Sequence, residues 1–80
     1  MRVTEKTTYS DFYQELLKNK ALKREGDDVY YTLEDDEIVE RPVRGGRPLI
    51  IYEDTFSFFL ADIRETGAGF DAYDPTTRGA

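Results

Sequence analysis

Apolar residues recur early in the chain at Tyr9, Phe12, Tyr13, Leu16 and Leu17. That spacing of three and four places them on one face of a helix. Thr8 stands just before the run and Asp11 three residues later, so each side chain can satisfy the other's backbone N–H at the helix start. Ser10 is an alternative cap. The pattern predicts a helix over about 9–19.

Beyond it the period shortens. Residues 21–25 read either as a short strand or as the frayed end of the helix, and Gly26-Asp27-Asp28 as a turn. Val29 to Leu33 is a β-branched and aromatic run, which favours a strand with Val29, Tyr31 and Leu33 on one face. Glu34-Asp35-Asp36 marks the next turn. Residues 37–43 form a third extended piece, and Pro42 argues for an edge strand or a strand end there. Gly45-Gly46 suits a two-residue hairpin loop. Residues 48–52 are apolar on both faces and read as the central strand, or as one covered by both helices.

A second helix is expected after Thr55, with Phe56, Phe59, Leu60 and Ile63 at helical spacing and Gly67 at its end. The remaining stretch shows no periodicity. The resulting fold class is α+β: a small two-layer sandwich whose antiparallel sheet of three to four strands lies between an N-terminal and a C-terminal helix in the chain. Residues 1–67 form the single domain, and 68–80 an extended or partly disordered tail.

Composition narrows what such a domain can do. Eighty residues leave room for one domain, which buries only about 60% of its unfolded surface. Cys and His are absent, so disulfides, thiolate or imidazole metal sites and the usual catalytic triads are excluded. No enzyme, cofactor or metal ion is expected. The longest apolar runs are far shorter than the roughly 20 residues of a membrane span, and the N-terminus lacks a signal-peptide core. A cytoplasmic, soluble protein with no membrane partner is therefore expected.

The net charge of −6 keeps such a chain soluble and disfavours direct nucleic-acid binding. Eight acids and no base lie between Glu25 and Glu40. They read either as solvated turns and protected strand edges, or as a negative docking surface for a basic protein. Carboxylates at i and i+2 of a strand stand roughly 7 Å apart, a spacing that resembles a phosphate backbone. The acids do not follow the calcium-loop pattern.

Four aromatics, Tyr30, Phe58, Phe70 and Tyr73, fall off the core faces, and exposed aromatics enrich interfaces. The expected partner-binding residues are therefore Asp28, Tyr30, Glu34, Asp35, Asp36, Glu37, Glu40 and Tyr73, with Arg44, Arg47 and Phe58 as secondary contacts. In composition the chain is similar to small phage-encoded or mobile-element inhibitors. The expected function is a non-enzymatic protein that binds and inhibits or regulates a basic, nucleic-acid-handling partner, with nucleic-acid mimicry as the mechanism. Two alternatives stand beside it. One is an assembly protein in which Leu49, Ile51 and Phe58 build a homodimer or larger oligomer; the other is an antitoxin-like or transcriptional regulator.

Overall fold

The computed structural model describes residues 2–4, 6–52 and 69–75. Among them one helix, α1 (Tyr9–Lys18), precedes five strands: β1 (Ala21–Arg24), β2 (Val29–Glu34), β3 (Glu37–Pro42), β4 (Ile50–Tyr52) and β5 (Phe70–Tyr73). The strands form one antiparallel sheet in the order β4-β3-β2-β1-β5. This is a small α+β fold, with α1 packed on one face of the sheet. The expected second helix, with Phe58, lies outside the described residues. Among the described residues no helix is long and apolar enough to cross a membrane.

Helix α1 begins where the capping residues place it. Thr8 Oγ1 accepts from the Asp11 N–H at 3.1 Å, and Asp11 Oδ2 accepts from the Thr8 N–H at 3.0 Å. Phe12 and Leu16 are buried against the sheet, and Tyr9 and Tyr13 pack beside them. Leu17 departs from the expected stripe and is 59% exposed. One helical stripe this narrow covers a short sheet without it.

The core gathers on the α1 face. Phe12 packs against both Tyr31 and Phe70, meeting them edge-on at centroid distances of 5.7 and 5.2 Å, and those two rings also touch each other at 5.8 Å. Such edge-to-face pairs add about 0.5–1.5 kcal/mol each beyond the area they bury. Leu22, Ile38 and Tyr52 complete the layer, and Val3 joins it from the N-terminus.

Several expectations change here. The sheet has five strands rather than three or four, because residues 21–24 and 70–73 both join it. Phe70, which fits no core face of the sequence pattern, folds back onto the sheet and has no exposed surface; its strand begins the segment read as an extended or partly disordered tail. The apolar run ending at Tyr52 pairs at the side of β3 and ends the strand order instead of lying at its centre. Consecutive hairpins simply place each new strand outside the last. Gly45-Gly46 belongs to a longer connection, residues 43–49, with both glycines at positive φ. Strand β3 is accordingly internal. Pro42 sits at its last position, beyond the final β4 partner Glu40, so its missing N–H removes nothing from that ladder.

Candidate functional site

Strand alternation sorts the expected site residues onto two faces. Tyr31 lies opposite Glu40 and Leu33 opposite Ile38, so Glu40 belongs to the α1 side of the sheet. There Glu40 Oε1 accepts from the Tyr52 hydroxyl at 3.4 Å. Burial, and next the nearby Glu40 charge, push the Tyr31 hydroxyl far above the ordinary phenol range. Glu40 is therefore tied to core tyrosines and stands apart from the other acids.

The opposite face carries Tyr30, Thr32 and Glu34 of β2 with Arg41, Val39 and Glu37 of β3. Arg41 grips Glu34 with two donors, Nε to Oε2 and Nη2 to Oε1, the latter at 2.6 Å. Its Nη1 also donates to the Gly46 carbonyl at 3.2 Å. In register the bridge passes the Thr32–Val39 rung, and Val39 beneath it is only 3% exposed. The Arg41 hydrogen bonds hold the Glu34 carboxyl below its usual range. Arg41, close to Gly45-Gly46 in the chain, thus balances an acid of the neighbouring strand. Arg44 and Arg47 remain exposed on the 43–49 connection.

At the β2–β3 tip, Asp35 and Asp36 form the turn with φ of 53° and 66°. Both are exposed, and Glu37 follows directly. A two-residue hairpin turn with positive φ at both positions matches the twist of the strands it joins. Among the described residues, Asp35, Asp36 and Glu37 have no basic partner. Asp28 lies at the other end of β2, separated by the six residues of that strand, about 20 Å at roughly 3.3 Å per residue. Its neighbour Asp27 is paired with Arg24 at 2.7 Å. The middle-third acids therefore divide into a tip group, a distal group and Glu40, and form no single strip.

Two expected aromatics do come together. Tyr30 and Tyr73 stand two strands apart, yet their ring centroids are 5.2 Å from each other. They meet across β1, where Ala21 pairs with Tyr73 and is fully buried. A small side chain at that position leaves room for the rings to close. The importance of Ala21 had no signal in the local pattern, whereas Asp71, which shares the Tyr73 face, stands in the run Phe70-Asp71-Ala72-Tyr73-Asp74 that alternates aromatic and acid. Both depend on β5 lying beside β1.

Among the described residues no group of acids is arranged to hold a metal ion. No family model, curated protein or solved structure matches this chain.

Proposed function

We propose that this chain is a non-enzymatic binding protein that docks the acidic β2–β3 tip on a basic protein, regulating or inhibiting it. The observation that carries this reading is the run Asp35-Asp36-Glu37, three consecutive carboxylates at a hairpin turn with no basic partner among the described residues. Charge concentrated at one projecting point suits contact with a basic pocket or cleft. It suits less well a long track imitating a phosphate backbone, since Glu34 is claimed by Arg41 and Glu40 lies on the other face. A nucleic-acid-handling protein is the kind of partner such a tip would meet, because its binding cleft is basic.

The test is capture from the host's extract with the immobilised full chain, beside the triple variant D35N/D36N/E37Q. Basic proteins held by the wild type, released by moderate salt and lost with the variant support the reading. Identical capture by both chains, or no basic protein held, overturns it.

A second reading, homo-oligomerisation, is favoured by Leu49 and Ile51, which are 56% and 48% exposed beside and within β4. Light scattering at micromolar concentration separates it: a monomer that I51E leaves unchanged removes this reading.

A further inference from the structure

We propose that the shallow cleft formed on the paired strands β1 and β5 seats an arginine side chain of the basic partner, a contact that rests on the reading above but is separate from the hairpin tip. The cleft has a volume of about 170 Å³ and is lined by Lys23, Arg24, Glu25, Asp71, Ala72 and Tyr73. Asp71 and Tyr73 are two apart on β5 and so face the same side, opposite α1. The Tyr73 ring also packs against Tyr30, with centroids 5.2 Å apart.

Charge decides the ligand. The two bases at the cleft offset only part of its negative charge. The Lys23 ammonium, although its residue lies opposite Asp71 in register, donates to the Arg24 carbonyl at 3.1 Å. Arg24 is held by Asp27 at 2.7 Å and lies over the Phe70 ring, 5.6 Å from its centroid. Both acids, by contrast, are exposed, and among the described residues neither the Glu25 nor the Asp71 carboxylate has a hydrogen-bond or ion-pair partner. With Arg24 neutralised by Asp27, the single charge of Lys23 stands against the carboxylates of Glu25 and Asp71, and the cleft keeps one negative charge in excess.

A cation is therefore favoured, and the adjoining aromatic ring selects its shape. A guanidinium is planar, so it can lie against a tyrosine face while its N–H fork meets a carboxylate. An ammonium has no flat face to stack. The cleft thus prefers arginine over lysine.

The experiment is an amide-resonance titration of the isotope-labelled full chain with N-acetyl-arginine amide and, separately, N-acetyl-lysine amide. The arginine compound is expected to shift Glu25, Asp71, Ala72 and Tyr73 at millimolar concentration, and the lysine compound to do so several-fold more weakly. The E25Q/D71N variant, which changes only exposed groups, should weaken the arginine response about tenfold, the effect of losing one modest charged contact. The D35N/D36N/E37Q variant should leave it unchanged. Equal response to both compounds, response confined to residues 34–37, or none at the cleft overturns the proposal. A basic partner that needs the tip and ignores E25Q/D71N overturns it alone, while cleft shifts with no tip-dependent capture overturn only the tip reading.

Discussion

Tyr30 and Tyr73 close over Ala21, their ring centroids 5.2 Å apart and their planes tilted by 39°. The pair joins β2 to β5 across the intervening β1 and gives β5 an anchor on the face opposite α1. Its other anchor, Phe70, is in the core. Strand β5 is thus held on both faces by aromatic side chains, although it is only four residues long.

Enlarging Ala21 should part the rings. Ala21→Leu is expected to cost about 1–3 kcal/mol through overpacking, read as a lower urea midpoint. The Tyr73 resonances should lose the ring-current shifts of their neighbour. A variant with a wild-type midpoint would contradict the idea that the pair needs a small residue beneath it.

Two apolar positions of α1, Phe12 and Leu17, should respond unequally. Phe12→Ala removes the ring that packs against Tyr31 and Phe70 and is expected to cost about 3–5 kcal/mol. Small domains have only about 5–15 kcal/mol in total, so this variant should be largely unfolded by circular dichroism in mild denaturant. Leu17→Ala, at a position 59% exposed, should change stability by about 0.5 kcal/mol or less.

Alkaline pH should expose the Tyr31 phenol. Its proton is held more tightly in the folded chain than in the unfolded one, chiefly by burial and then by Glu40. The sign follows: this stabilisation is complete below the unfolded phenol's value of about 10 and is lost as pH rises above it. Urea unfolding across that range should show falling stability in the wild type and a shallower fall in Tyr31→Phe. Parallel curves would rule out this phenol as the cause.

At the acid end, Glu34 behaves in the opposite sense. Arg41 lowers its affinity for a proton in the folded chain, so the contribution is present above the unfolded carboxyl's value of about 4.3 and fades as pH drops below it. The pair is partly exposed, which limits it to about 1 kcal/mol or less. Glu34→Gln should reduce stability near neutrality and flatten the acid limb; an unaltered limb would show that Glu34 is not its source.

Asp36, at a φ of 66°, separates stability from binding. Asp36→Gly relieves a left-handed backbone and is expected to stabilise by about 0.5–1 kcal/mol. The same change removes a tip carboxylate. Thermal unfolding should rise while salt-sensitive capture of a basic partner falls. A rise in both would mean that the tip charge does not take part in docking.

Much of the layout was readable from local pattern. Thr8 and Asp11 announced the start of α1, and the alternation through Val29, Tyr31 and Leu33 assigned the two faces of β2. The acids after Leu33 marked the turn that became Asp35-Asp36. The Tyr30 and Tyr73 rings fit no core face of the local pattern, but their meeting depends on β5 lying beside β1. Arg41 is close to Arg44 and Arg47 in the chain, but which acid it meets is set by the β2–β3 ladder, which brings it to Glu34. The continuous acidic strip fails for the same cause, since its members alternate faces and sit at opposite ends of β2.

Chain order and side-chain chemistry were enough for features whose sterics and hydrogen bonds close within a few residues: the capped helix, the alternating strands, the tight turn. Folding had to choose the rest. Phe70 went to the interior, Leu17 stayed outside, Glu40 turned toward tyrosines, and Lys20 met Asp74, 54 positions away, because β5 settled beside β1. Which strands become neighbours depends on the joint packing of distant segments around Phe12 and Tyr31, and no short stretch of sequence encodes that choice.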